Sequence, residues 1–124
     1  MKKRPVNLNL TTIKFPITAL ISIMHRISGL FLLLLVPVSI YIFSLSLESE
    51  QGFLAIKSSI NNFYVKLTLW IILTAFSYHF LAGIRHLFMD MHLGESLRAG
   101  KITSYIVAII SILSSLFFLF LIFN

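Results

Sequence analysis

The sequence predicts an all-α integral membrane protein in which a single domain, residues 1–124, crosses the bilayer with three transmembrane helices. Hydrophobic residues make up 58% of the chain and charged residues 11%. Soluble domains have about 45–50% apolar and about 25% charged residues. The mean hydropathy is +0.97. A chain of 124 residues cannot bury so much apolar surface within itself, so we expect lipid to cover it.

Three apolar segments reach the length of about 20 residues that a membrane-spanning helix needs. We predict helices over about residues 18–47, 65–89 and 102–123, which follow an N-terminal segment of about residues 1–17. Pro16 suits the first turn of a helix, so "PITALISIMHRISGL" reads as one continuous helix that starts before its most apolar part. A polar loop is expected between the first two helices, and a short turn between the last two.

The distribution of positive charge predicts the orientation of the chain in the membrane. Half of the ten Lys and Arg residues flank the first apolar run: Lys2, Lys3, Arg4, Lys14 and Arg26. Because cytoplasmic flanks carry an excess of Lys and Arg, we expect a cytoplasmic N-terminus and a periplasmic C-terminus. The N-terminus resembles neither a secretory signal nor a mitochondrial presequence, so we expect a bacterial inner membrane. Membrane flanks also explain the net charge of +6 better than nucleic-acid binding does.

An ionisable stripe runs along the second predicted helix. At about 100° per residue, His79, Gly83, His86 and Asp90 fall on one face. At about 1.5 Å per residue, His79 lies about 21 Å along the helix from Val65, inside the hydrocarbon. An imidazole beside a glycine suits haem, because the histidine ligates iron and the glycine makes room for the macrocycle. A histidine bonded to a neighbouring helix explains the same pattern, and spacing alone leaves both interpretations open.

A haem with two axial ligands would need a second donor. His86 shares the stripe of His79, so it cannot reach the opposite face of the same iron, and His25 lies near the cytoplasmic face. We therefore expect another polypeptide to supply that ligand, so this chain would need an obligate partner. The chain has no cysteine, which excludes iron–sulfur ligation by it and leaves only a non-covalent haem.

A second polar cluster lies at the start of the first predicted helix. Ser22, His25, Arg26 and Gly29 share one face because they are three or four residues apart. The Arg26 guanidinium suits carboxylates such as haem propionates, and the same group of side chains suits a quinone carbonyl. A non-functional alternative is that the Arg26 side chain extends to lipid headgroups while His25 is solvated.

Together these residues closely resemble the cytochrome b membrane-anchor subunit of bacterial succinate dehydrogenase, respiratory complex II. The resemblance covers nearly the whole chain. Its first motif, RP followed by S-x-x-H-R-x-S/T, falls on Arg4-Pro5, Ser22, His25-Arg26 and Ser28. Its second motif, H-x-x-x-G-x-R-H-x-x-x-D, falls on His79, Gly83, Arg85-His86 and Asp90.

The resemblance implies a role for each matching residue. His79 would be the axial ligand of a haem b that is shared with a second hydrophobic anchor subunit, and Gly83 would pack beside it. This chain would then be half of a heterodimeric helical anchor. Ser22 and Arg26 would line a site for ubiquinone as substrate, while His25 and Arg26 would contact the haem propionates.

The resemblance also implies a function within the tricarboxylic acid cycle and electron transport. A flavoprotein subunit would oxidise succinate, and an iron–sulfur subunit would pass the electrons to quinone in the membrane. This chain would be non-catalytic alone. Three alternatives stay open: a cofactor-free membrane anchor, a fumarate reductase anchor, and a small transporter.

Overall fold

The computed structural model describes residues 15–94 and 96–124, and its secondary structure there is entirely helical. The helices are α1 (Ile17–Glu48), α2 (Glu50–Ser59), α3 (Phe63–Asp90) and α4 (Leu97–Phe123). By length and composition, α1, α3 and α4 are suited to cross a membrane, which confirms the predicted fold class. Even α4, with 27 residues, is about 40 Å long, whereas the hydrocarbon core is about 30 Å thick.

The first helix begins where the proline predicted it. Pro16 caps α1 in an extended conformation, and its carbonyl accepts the backbone N–H of Ala19 at 2.9 Å. From there α1 continues without a break past Pro37, so "PITALISIMHRISGL" is one helix from Ile17 onward. The expected N-terminal segment up to residue 14, including Arg4 and Pro5 of the first motif, lies outside the described residues.

Helix α2 occupies the interval that hydropathy suggested was a polar loop. Ser49 is extended, and its hydroxyl accepts the backbone N–H of Gly52 at 3.0 Å, which is a helix cap. Glu50 in the first turn and Lys57 in the last turn complement the helix dipole. Caps also determine where the last helix starts: Ser96 accepts the N–H of Ala99, so α4 begins before residue 102.

The three long helices pack around a small core to which each contributes one buried hydrophobic residue, namely Ile21, Ala82 and Val107. Helix α3 runs antiparallel to α4, since Phe63 at its start packs against Phe123 at the end of α4. It also runs antiparallel to α1, since His79 adjoins Gly29 whereas Gly83, later in α3, adjoins the earlier His25. The Tyr78 hydroxyl donates to the Ile21 carbonyl at 2.7 Å and so ties α3 to α1 beside this core.

Polar and small residues fill much of the interface between these helices. The buried polar side chains among the described residues are Ser28, Arg85, Ser104 and Ser111, whereas many large hydrophobic side chains are exposed. Ser104 is 0% exposed and donates to the Gly100 carbonyl within its own helix. This distribution is expected in a bilayer, where small residues let helices approach and lipid covers the apolar exterior.

Enlarging Ser104 should disrupt the contact of α4 with its neighbours. Overpacking a buried position costs about 1–3 kcal/mol, so Ser104→Leu should lower the melting temperature of the detergent-purified protein. Ser114→Leu is the matched control, because the Ser114 hydroxyl also bonds within α4 but its side chain is only half-buried. Equal melting temperatures for the two variants would contradict the packing described.

Candidate functional site

Three histidines meet where α1 packs against α3. The His25 ring stacks on the His79 ring with centroids 4.3 Å apart and planes at 16°. On its other side, the centroid of His86 lies 4.9 Å from that of His25. His25 therefore lies between two members of the α3 stripe, and the two sequence motifs form one site.

The hydrogen bonds of His79 determine which ring nitrogen carries the proton. Its Nδ1 lies 3.1 Å from the His25 carbonyl oxygen and 3.1 Å from the Ser28 hydroxyl oxygen. Ser28 donates its own proton to the same carbonyl at 2.8 Å. A deprotonated Nδ1 would set its lone pair against that carbonyl, so we assign the proton to Nδ1. The Nε2 atom of His79 then keeps the lone pair that a metal ligand needs.

Glycines allow the backbones and rings to approach closely here. A β-carbon on Gly29 would lie 2.8 Å from Cε1 of His79, closer than real contacts allow. A β-carbon on Gly83 would lie 3.4 Å from Nε2 of His25, which is tight but less severe. Gly29 is thus required for the position of His79, whereas Gly83 adjoins the ring of His25. The packing of Gly83 beside a haem stays a prediction.

The donor set fits a haem ligand better than a site for a bare metal ion. The three imidazoles lie side by side, and no group of three His, Cys, Asp or Glu within residues 15–94 and 96–124 is arranged to hold a metal ion. An axial haem ligand needs a single imidazole whose other nitrogen donates to a carbonyl or carboxylate. His79 has this arrangement, because its Nδ1 faces the His25 carbonyl.

Ser22 and Arg26 lie beside this cluster on α1, one helical turn apart. Ser22 is half-buried, and Arg26 is exposed. Within the described part of the chain, neither side chain makes a hydrogen bond or ion pair. The structure therefore does not bring Arg26 onto His79. The exposed guanidinium is accessible to a ligand or to headgroups, so both sequence interpretations of Arg26 still apply.

Arg85 belongs to the second motif but points away from the histidines. It is 6% exposed, and its guanidinium donates to the Thr103 hydroxyl at 3.1 Å and to the Gly100 carbonyl at 3.4 Å. At about 100° per residue, Arg85 lies about 120° around the helix from His79. One face of α3 thus carries the site, and a second face, with Tyr78, Ala82 and Arg85, holds α3 against the other helices.

Two residues that matter to the geometry were given no role by the sequence reasoning. Ser28 stands in the first motif, and Gly29 shares a helix face with His25, but neither residue has a predicted role. Their spacing from His25 did contain a signal, because positions three and four residues later lie on the same helix surface. What the sequence did not indicate was that His79 would be the residue facing that surface.

Comparison with known proteins gives consistent matches across the chain. The family described as "Succinate dehydrogenase/Fumarate reductase transmembrane subunit" matches residues 1–118. The succinate dehydrogenase cytochrome b556 subunit of Coxiella burnetii is 42% identical over 113 residues, which cover 90% of each chain. The cytochrome b556 subunit of Rickettsia typhi is 35% identical, covering 90% of this chain and 86% of the relative. The cytochrome b560 subunit of Marchantia polymorpha is also 35% identical, covering 90% and 88% respectively.

Adding one methyl group at Gly29 should displace the His79 imidazole. In Gly29→Ala the new carbon would lie 2.8 Å from Cε1 of His79, so the ring has to move away from its hydrogen-bond partners. We expect an altered reduced-minus-oxidised haem spectrum in purified membranes. Gly100→Ala is the control, because its β-carbon would meet Thr18 at an ordinary 3.7 Å. A normal spectrum in Gly29→Ala would contradict the close approach.

Proposed function

Because this chain belongs to the succinate dehydrogenase/fumarate reductase transmembrane subunit family, we propose that it holds one side of a haem b and forms part of a quinone site. The membership makes it a cytochrome b membrane-anchor subunit of succinate dehydrogenase and a multi-pass membrane protein. Haem and electron transport follow from the family name, as does association with the other subunits of the complex. The residues and partners named below are proposals.

His79 is the proposed axial ligand of the haem iron. The observation that carries this proposal is the hydrogen bond of His79 Nδ1 to the His25 carbonyl, which leaves the lone pair on Nε2 available to ligate the iron. When bound, haem b supplies a one-electron redox centre. The His86 ring lies tilted against the same ring of His25, so it is not placed to ligate the iron from the other side. A second hydrophobic anchor subunit therefore supplies the other ligand.

Ser22 and Arg26 are the proposed quinone-binding residues, with ubiquinone as the substrate. The Ser22 hydroxyl donates a hydrogen bond to a quinone carbonyl oxygen. The Arg26 guanidinium stabilises the negative charge that develops on an oxygen as quinone is reduced. The exposure of Arg26 supports this role, since the side chain reaches beyond this chain. His25 and Arg26 also hold the haem propionates through charge-assisted hydrogen bonds.

The position of the site suggests how the complex assembles. His25 lies in the first turns of α1, and His86 lies in the last turns of α3, so the site is near one end of the bundle. We propose that this end faces the cytoplasm of a bacterial cell, where the iron–sulfur subunit docks and the flavoprotein subunit oxidises succinate. The N-terminus is then cytoplasmic, and the C-terminus is periplasmic, in the inner membrane.

Replacing His79 should remove the haem ligand of this chain. In His79→Ala we expect the purified complex to lose haem b or its low-spin spectrum, measured as the reduced-minus-oxidised absorption difference. His92→Ala is the matched control, because His92 follows α3 and belongs to neither sequence motif. An unchanged low-spin b-type spectrum in His79→Ala would rule this ligand out, and haem absent from the unaltered complex would favour a cofactor-free anchor.

Replacing Arg26 should separate quinone chemistry from succinate oxidation. Removing one group that stabilises developing charge costs about 10²–10³-fold in rate, so Arg26→Ala should lower succinate–quinone activity by that order. Succinate oxidation with an artificial dye, which bypasses the quinone, should change little. Arg98→Ala, an exposed arginine at the start of α4, is the control. Equal loss of both activities in Arg26→Ala would refute the quinone assignment.

A further inference from the structure

We propose that Ser28 is a positioning residue for His79, whose hydroxyl holds the imidazole in the tautomer and orientation that make Nε2 a strong haem ligand. This inference rests on the proposed haem ligation by His79. Ser28 is 8% exposed and lies in the interface between α1 and α3, where its oxygen is 3.1 Å from Nδ1 of His79.

A serine in a membrane helix normally needs no partner outside its own helix. Ser46 illustrates this in α1, where its hydroxyl donates to the carbonyl of Phe43, three residues earlier. Ser28 makes the equivalent bond to the carbonyl of His25, so its proton is already used. The lone pairs of its oxygen remain available, and they face the Nδ1–H of His79. Ser28 therefore accepts a hydrogen bond from the imidazole in addition to donating its own proton to the His25 carbonyl.

The His25 carbonyl alone would be a poorer partner for His79. In an α-helix this carbonyl also accepts the backbone N–H of Gly29, four residues later. It further accepts the hydroxyl proton of Ser28 and faces Nδ1 of His79. Because several donors share one oxygen, the Ser28 hydroxyl oxygen supplies the imidazole with a second acceptor.

Neighbouring contacts restrict the ring but do not select its tautomer. Gly29 limits the edge of His79, and the ring of His25 covers one face. These contacts are the same for either protonation state of the imidazole. Only the acceptors at Nδ1 distinguish the tautomer protonated at Nδ1 from the one protonated at Nε2. A hydrogen-bond acceptor at Nδ1 also raises the basicity of Nε2, the nitrogen that binds the metal. A more basic ligand favours the oxidised iron, so Ser28 acts to lower the haem midpoint potential.

Ser28→Ala in the purified complex tests this inference. We expect a low-spin b-type spectrum to remain, because His79 is still present, but the midpoint potential in a redox titration should rise. Loss of a partner of a ligating histidine typically costs 10–100-fold in affinity, so haem retained per flavin should fall after prolonged dilution in detergent. Ser28→Thr keeps the hydroxyl and should restore both values. Ser46→Ala removes a serine with the same internal bond in α1 and should change neither.

The outcomes separate this inference from the proposed ligand. An unchanged potential and haem retention in Ser28→Ala, together with loss of haem in His79→Ala, would overturn only the role of Ser28. Retention of the spectrum in His79→Ala would overturn the ligand itself. Equal shifts in Ser28→Ala and Ser28→Thr would mean that packing, not the hydroxyl, is responsible. If Ser28→Ala does not assemble, Ser28→Cys decides: its weakly accepting sulfur should raise the potential relative to Ser28→Thr.

Discussion

The hydrogen bond between the His79 imidazole and the α1 backbone is the interaction on which the site depends. It joins α3 to α1 by pairing a half-buried ring nitrogen with a backbone carbonyl. The close approach that the bond requires is possible only because residue 29 has no side chain. The same bond leaves the lone pair on Nε2 of His79, the atom proposed to ligate the haem iron. One contact therefore serves both the packing of the helices and the proposed ligation.

The two faces of α3 explain why the second motif contains residues of such different character. His79, Gly83 and His86 lie on the face that meets His25, and they form the candidate site. Arg85 lies on the other face and donates to Thr103 and Gly100 of α4. A buried guanidinium is costly unless its donors find acceptors. Both acceptors of Arg85 lie on α4, so this side chain holds α3 against α4 on a face of α3 other than that of His79.

The bilayer accounts for the unusual distribution of residues in this fold. In water, large apolar side chains would be buried and serines would face the solvent. Here Ser104 and Ser111 are buried between helices, whereas residues such as Leu33 and Phe43 are exposed. Lipid is as apolar as these side chains, so association of the helices depends on close packing and on hydrogen bonds within and between helices. The contact of Trp70 and Thr74 with Ser115 is one such connection.

The sequence by itself determined the three spanning helices, the stripe of His79 and His86, and the family, because hydropathy, helical periodicity and motif spacing are properties of neighbouring residues. It also placed Pro16 at the start of α1 correctly, but it missed α2, because capping by Ser49 does not register in hydropathy. Only the tertiary structure decided that His25 lies between two histidines of α3 and that the Ser28 hydroxyl meets Nδ1 of His79. These contacts depend on the register of one helix against another, which is decided by close packing at sites such as Gly29 and not by any local pattern.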